Sequence, residues 1–188
     1  MSFREQHRRG GACGCVAATG LALTMAAATL SAQADSVPEY NAKAGFLTAF
    51  TNYANWPLET FASTASPVML CVLGQDPFGD VLDRTAAVSR GSRPLQVRRI
   101  RTPNDASECQ VVFIAKRESR SEAAWLAALK GKPVLTVGES GQTVARGGLV
   151  EFATVRDKVA FDVNLSAAEQ VGVKLSSDLL SHARKVYR

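Results

Sequence analysis

The sequence is poor in the residues that most often carry enzyme chemistry. Its 188 residues include two histidines and four cysteines, and His7, Cys13 and Cys15 all lie near the amino terminus. Beyond them, His182 is the only histidine, so no obvious motif supplies a Cys/His metal site or a Ser/His/Asp triad. The sequence also contains no G-x-S-x-G elbow, G-x-G-x-x-G fingerprint or phosphate-binding loop. We therefore predict a binding protein without a cofactor. A hydrolase that uses some of the scattered carboxylates is a weaker alternative, although no spacing selects a pair of carboxylates for it.

The chain also lacks a strong charge of either sign. It has 22 basic and 17 acidic residues, and part of this excess lies in its first 34 residues. The densest basic run, Arg98-Arg99 with Arg101, falls on a predicted strand. This pattern indicates a solvated strand face, and we expect no binding to nucleic acid.

Long apolar runs are absent except near the amino terminus, where residues 1–34 are typical of a secretory signal peptide. Three features indicate this: the basic residues Arg4, Arg8 and Arg9, the apolar stretch 16–30, and the cleavage motif Ala32-Gln33-Ala34. The apolar stretch is too short for a comfortable transmembrane span. We predict cleavage after Ala34, a mature domain over 35–188, periplasmic localisation and no direct membrane insertion.

The predicted mature chain retains two cysteines, Cys71 and Cys109. An even pair in an oxidising compartment favours a disulfide, and two buried free thiols are the alternative. A cross-link of this sequence separation would stabilise the fold by about 4 kcal/mol.

Val68 to Leu73 is a run of six apolar residues, which predicts a strand buried on both faces. The turn Gly74–Gly79 follows, with Asp76 as the expected N-cap and Pro77 as the first residue of a helix. Loops at the carboxyl ends of such strands are the usual ligand edge of an open α/β sheet.

The rest of the chain alternates strand and helix patterns. Strands are predicted at Arg93–Ile100, Cys109–Ala115 and 134–137, a hairpin at 149–165, and helices at Ser36–Tyr53, after the capping boxes Ser119-x-x-Glu122 and Ser166-x-x-Glu169, and at Ser177–Val186. This order predicts a single α/β domain. Its mostly parallel central sheet would have about six strands flanked by helices, with a C-terminal antiparallel hairpin and a terminal helix.

Two places are candidates for a pocket or a partner surface. At the end of the first helix and just after it, the aromatic cluster Phe50, Tyr53 and Trp56 either anchors that helix on the sheet, or Trp56 with Tyr53 and Asn55 lines an apolar pocket for a small ligand or a partner helix. Asp76 and Phe78 lie on the turn after the first buried strand. Physical reasoning alone therefore predicts an exported α/β binding domain.

Several segments, in order, resemble the YfiR family of periplasmic proteins. These are Phe50-x-x-Tyr53-x-x-Trp56-Pro57, the stretch 71–79, the stretch 131–138, Gly147-Gly148-x-Val150-x-Phe152, Val159-x-Phe161-x-Val163-Asn164-Leu165 and the stretch 175–186. Together they cover nearly all of the predicted mature chain. Cys71 and Cys109 match one family disulfide. Some members carry a second bridge, for which this mature chain has no cysteines.

The resemblance implies a repressor. YfiR-like proteins bind the periplasmic sensor region of an inner-membrane diguanylate cyclase, YfiN, and lower cyclic-di-GMP and biofilm formation. An OmpA-like outer-membrane lipoprotein, YfiB, sequesters the repressor and relieves the inhibition. Family members can also form homodimers.

The hairpin and the terminal helix carry apolar residues at the end of the domain. We therefore expect the cyclase interface to include Phe152, Phe161, Leu179 and Leu180. The alternative function is a periplasmic small-molecule binding module, with its ligand at Gly74–Gly79 or near Trp56.

Overall fold

The structure, a computed structural model, describes residues 37–188. The predicted signal peptide, its cleavage site and the expected cap Ser36 lie outside the described residues. The helices are α1 (Val37–Tyr53), α2 (Asp80–Ala87), α3 (Glu122–Leu129), α4 (Leu165–Gln170) and α5 (Ser177–His182). The strands are β1 (Ala54–Asn55), β2 (Val68–Leu73), β3 (Leu95–Ile100), β4 (Val111–Ile114), β5 (Leu135–Gly138), β6 (Val150–Val155), β7 (Lys158–Asn164), β8 (Lys174–Leu175) and β9 (Lys185–Tyr187).

Seven of these strands form one sheet in the order β3-β2-β4-β5-β6-β7-β9. All neighbours in it run parallel except β6 and β7, which pair antiparallel as the predicted hairpin. Strands β1 and β8 form a separate antiparallel pair. The predicted single α/β domain with a mostly parallel sheet is therefore confirmed, with seven strands in the main sheet.

Strand β2 is buried along its whole length, as its unbroken apolar run predicts. Its side chains alternate between two cores: Val68, Leu70 and Val72 belong to the first, and the intervening Met69, Cys71 and Leu73 belong to the second. This alternation is the two-residue period of a strand between two layers. Strand β2 therefore joins both cores.

The two cores lie on opposite faces of the sheet. The first contains residues of α1, α2, α4 and α5 and is rich in aromatic rings. In it the ring of Phe50 lies 5.0 Å from that of Phe161 and 5.8 Å from that of Phe152. The second contains Leu126 and Leu129 of α3. Its members come from β2 to β5 and the segments around them, and none comes from β6, β7 or β9.

The disulfide between Cys71 and Cys109 is confirmed. It joins the middle of β2 to the segment just before β4, with 5.9 Å between the two Cα atoms. Both cysteines lie in the second core, 0% and 2% exposed. The bond therefore cross-links neighbouring strands where solvent does not reach it.

Helix α2 begins later than predicted. Asp76 does not cap it, because its Oδ1 accepts a hydrogen bond from the Phe78 backbone N–H and closes a turn inside the loop. The residue before the helix is Gly79, whose φ of 53° suits glycine.

Three further boundaries also differ from prediction. Neither predicted capping box is present: Ser121 precedes α3 without a side-chain cap bond, and Asn164 caps α4. The last helix ends at His182, since residues 185–187 pair alongside β7 as strand β9. A real capping box joins Thr102 and Asp105 in a short 3₁₀ turn that the sequence reading missed.

Replacing both cysteines, as Cys71→Ala/Cys109→Ala, should lower the free energy of unfolding by about 4 kcal/mol. The physical reason is that the unfolded chain regains the conformational entropy that the bond removes. Urea unfolding followed by circular dichroism measures this change. Wild-type protein reduced in denaturant is the control and should unfold like the variant. A fall of less than about 1 kcal/mol in the free energy of unfolding would contradict the view that this disulfide stabilises the fold strongly.

Candidate functional site

The carboxyl edge of the sheet has the geometry that usually holds ligands in open α/β folds. From β2 the chain passes through α2 to β3 on one side, and then crosses to β4 on the other side of β2. The crevice at such a switch in strand order is the expected binding position. A cavity of about 330 Å³ lies there, lined by Tyr40, Asn41, Gln75, Asp76, Phe78 and Arg117 among others.

Asp76 holds the loop of this cavity together. One carboxylate oxygen takes the Phe78 N–H at 2.7 Å, and the other takes Arg99 Nε at 2.9 Å. Arg99 also binds Asp83, and this hydrogen bond lowers the pKa of the Asp83 carboxyl. The backbone N–H of Gln75 donates to Glu118 Oε1 at 3.0 Å. Both oxygens of Asp76 are therefore engaged in structure.

Phe78 forms the floor of the cavity. It is 4% exposed, and its ring contacts those of Tyr40 and Phe113 edge-on at centroid distances of 5.2 and 4.9 Å. Arg117 at the rim is exposed. The predicted pair Asp76 and Phe78 does line one cavity, but each has a structural partner within the domain.

A buried ion pair lies beside this cavity at the carboxyl edge of the sheet. Lys43 of α1 binds Glu139, which follows β5, and the two residues are 3% and 7% exposed. Glu139 also accepts hydrogen bonds from Tyr40 Oη at 3.0 Å and from the Lys116 backbone N–H at 2.8 Å. Lys43 in addition lies 2.7 Å from a carboxylate oxygen of Glu39. This network fixes α1 across the ends of β4 and β5.

The pKa of Lys43 reflects these contacts. Burial by itself disfavours the ammonium form, but the hydrogen bonds and the attraction of Glu139 and Glu39 outweigh it, and the pKa is raised. The sequence reading missed this pair, since its members lie 96 residues apart and no local pattern links them.

Three more buried carboxylates lie along this edge, and each is hydrogen-bonded. Glu122 accepts from Thr143 Oγ1 at 2.6 Å and binds Arg146 at 2.7 Å. Glu151 accepts from the Thr143 N–H at 3.0 Å. Asp162 accepts from Arg184 Nε at 2.7 Å. Within residues 37–188, no cluster of three or more His, Cys, Asp or Glu side chains could hold a metal ion.

The second predicted place, around Trp56, lies at the opposite edge of the sheet. Trp56 Nε1 donates to the carbonyl of Gln110 at 3.1 Å, just before β4 begins. Tyr53 and Asn55 are exposed there. The structure therefore places Tyr53, Asn55 and Trp56 apart from Asp76 and Phe78, as two separate positions.

The residues predicted for a cyclase interface need correction. Phe152, Phe161 and Leu179 are 3%, 2% and 4% exposed in the first core, and Leu180 is half-buried against it. Apolar side chains on the hairpin face α1 instead of solvent because α1 covers that side of the sheet. In the folded domain, these three side chains are unavailable to a partner.

Comparison with known proteins identifies a family. The family model described as YfiR/HmsC-like (DUF4154) matches residues 40–184. Among solved structures, a conserved domain protein from Vibrio cholerae O1 biovar El Tor is similar, with a TM-score of 0.50 and 13% identity. That match covers 63% of this chain and 54% of the other, so this chain spans about half of its length. At this identity the likeness concerns the fold alone. Among the helices of residues 37–188, none combines the length and the hydropathy of a membrane-spanning segment.

Replacing Lys43 with methionine, as Lys43→Met, should lower the free energy of unfolding by about 3–5 kcal/mol, because Glu139 is left buried without its cation. Chemical unfolding at neutral pH measures this loss. Lys132→Met, at an exposed position, is the control and should stay within about 0.5 kcal/mol of wild type.

The sign of the pH dependence follows from the raised pKa of Lys43. Its contribution should be complete below the ordinary lysine value of 10.5 and should disappear as the pH rises through the folded-state value. Wild type should therefore lose more stability than Lys43→Met at strongly alkaline pH. Parallel loss in both proteins would show that this ion pair contributes nothing.

Proposed function

Because the chain belongs to the YfiR/HmsC-like family, we propose that it is a periplasmic negative regulator of an inner-membrane diguanylate cyclase. It binds the periplasmic sensor region of a YfiN-like cyclase and holds it inactive, which lowers cyclic-di-GMP and biofilm formation. An OmpA-like outer-membrane lipoprotein of the YfiB type sequesters the regulator and relieves the inhibition. The protein carries out no catalysis of its own.

The family match carries this proposal, because it spans residues 40–184 and therefore almost all of the described domain. The Cys71–Cys109 disulfide is consistent with an oxidising compartment such as the periplasm. The family is a regulatory one and is not known as an enzyme family.

The thermodynamics of such a regulator set what its surface must do. A protein that binds two states of a cyclase can shift their populations only by its difference in affinity between the states. A lipoprotein that competes for the same regulator reverses the shift by mass action. Inhibition therefore needs an exposed surface that contacts the cyclase, and relief by direct competition needs a lipoprotein-binding surface that overlaps it. A second copy of the chain could also use such a surface to form a homodimer.

We place this surface on the last residue of α1 and the segment that follows it. Leu58 is 81% exposed and Tyr53 is 41% exposed, and Asn55 between them is also exposed. Exposed apolar and aromatic side chains are common anchors of protein interfaces. We propose this partner surface in place of one that includes the core residues Phe152, Phe161 and Leu179. It contains Tyr53 and Asn55, which the sequence already indicates as candidates for a partner surface.

A second candidate function is small-molecule binding at the same end of the domain. It is favoured by a cavity near Trp56 that is lined by Thr60, whose hydroxyl has no partner, and by Gln110, whose amide nitrogen has only a long contact.

Deleting the gene should raise cellular cyclic-di-GMP, and restoring the full chain should lower it again, because the cyclase loses and regains its inhibitor. Mass spectrometry of nucleotide extracts measures both changes. Deletion and restoration without any change, in cells that express the cyclase, would contradict the regulator proposal.

The partner surface can be tested in the same cells with two charged substitutions at exposed apolar positions. Leu58→Asp should fail to lower cyclic-di-GMP, because it places a charge in the proposed interface. Val88→Asp is the matched control, since Val88 is 75% exposed but follows α2, and it should restore fully. Immunoblots must show equal amounts of both variants. Full restoration by Leu58→Asp would move the interface elsewhere and leave the regulator proposal intact.

A further inference from the structure

The hydroxyl of Thr60 is buried without a hydrogen-bond partner. It is the one side-chain polar atom with this property among residues 37–188. Native structures leave few such groups, because a buried hydroxyl that has left water gains nothing in return. Thr60 ends a short 3₁₀ helix, Leu58–Thr60, at the amino ends of the parallel strands. The unpaired hydroxyl therefore needs a physical explanation.

A second underused polar group lies beside it. Gln110 is 4% exposed, and its Oε1 accepts the Met69 backbone N–H at 2.8 Å. This bond fixes the orientation of the amide, because an N–H donor requires the oxygen to face it. The Nε2 group then points toward Thr60, whose carbonyl oxygen lies 3.5 Å away. That distance is too long for a good hydrogen bond, so the amide retains donor capacity.

Thr60 and Gln110 both line one cavity of about 320 Å³ at the amino edge of the sheet, although the Thr60 hydroxyl itself is turned away from it. Phe61, Pro67 and Met69 provide apolar walls. An ion pair between Arg98 and Glu108, 2.8 Å apart and largely exposed, also lines it. The hydroxyl of Thr60 and the amide of Gln110 are neutral groups, and the Arg98 cation already has Glu108 as its anionic partner.

The aromatic wall of the cavity is held in place. Arg93 lies over the ring of Phe61, 3.9 Å from its centroid, and donates to the carbonyls of Ser63, Thr64 and Ser66. The ring of Trp56 contacts Phe61 edge-on at 6.5 Å. One guanidinium thus fixes both the ring and the loop around it, so this apolar wall is preorganised for an occupant.

We propose that this cavity binds a small neutral carboxamide on an apolar body. The ligand carbonyl accepts from Gln110 Nε2, and the ligand N–H donates to Thr60 Oγ1. The Thr60 hydroxyl has almost no exposed surface in this structure, so binding includes rotation of its side chain toward the cavity. The apolar body packs on Phe61 and Met69. A carboxylate is disfavoured, since it would lose its hydration to neutral donors.

This inference does not depend on the regulator proposal, because it concerns only the binding of a small molecule to the isolated protein. Its failure would leave the cyclic-di-GMP result untouched, and the reverse also holds.

The test is calorimetric titration of the purified mature protein with acetamide and with benzamide. At least one should bind saturably and raise the thermal midpoint, because a ligand that binds only the native state stabilises it. Benzoate and N,N-dimethylbenzamide, which lack the neutral carbonyl or the N–H, should each bind about tenfold more weakly or worse than benzamide.

Variants separate the site from general stability. Thr60→Val removes no hydrogen bond, so the thermal midpoint of the free protein should not fall, yet carboxamide affinity should drop by about tenfold or more. Thr51→Val is the matched control, because the Thr51 hydroxyl donates to the Thr48 carbonyl on α1, and it should bind as wild type does. Gln110→Glu keeps the acceptor for Met69 and removes the amide donors, so it should lose binding.

Three results would overturn the proposal. The first is no saturable binding of either carboxamide up to about 10 mM, a concentration that would detect even weak affinity. The second is unchanged affinity in Thr60→Val. The third is a crystal structure with the carboxamide present in which an ordered water bonds Thr60 and Gln110 and no ligand enters.

Discussion

The domain depends on the burial of strand β2 on both faces. Its alternate side chains enter two separate cores, so the helices on each side of the sheet are anchored to the same six residues. The Cys71–Cys109 bond ties this strand to the entry of β4 inside the second core. Because both sulfur atoms are buried, a reductant has access only when the domain opens. The bond therefore acts as a structural staple, and any response to reducing stress would pass through unfolding.

The carboxyl and amino edges of the parallel strands differ in how completely their polar side chains are paired. At the carboxyl edge, where open α/β folds usually bind ligands, Lys43 pairs with Glu139 and Arg99 binds Asp76, so these four charged side chains are engaged in structure. At the amino edge, Thr60 and Gln110 are short of partners and Leu58 is exposed. The surface and the cavity that we assign to binding both lie at this amino edge.

The sequence could predict what depends on local patterns. The apolar run of β2 and the hairpin carry short-range signals, the disulfide follows from the count of two cysteines, and all three are present in the fold. The helical spacing of Leu179, Leu180, Ala183 and Val186 predicts a helix that extends across β9, and pairing with β7 overrides this local signal. The Lys43–Glu139 pair and the Thr60–Gln110 contact join segments that are distant in sequence, so no local pattern predicts them. Apolar spacing also could not decide whether Phe152 and Phe161 face α1 or a partner.

The proposed function requires that this protein inhibit a diguanylate cyclase by direct binding on the periplasmic side. The most direct test adds purified protein to the periplasmic face of inner-membrane vesicles that contain the cyclase, with GTP supplied on the catalytic side. We expect a saturable fall in cyclic-di-GMP synthesis that the purified lipoprotein reverses. Synthesis that stays constant at saturating protein, in vesicles whose cyclase is active and correctly oriented, would contradict it.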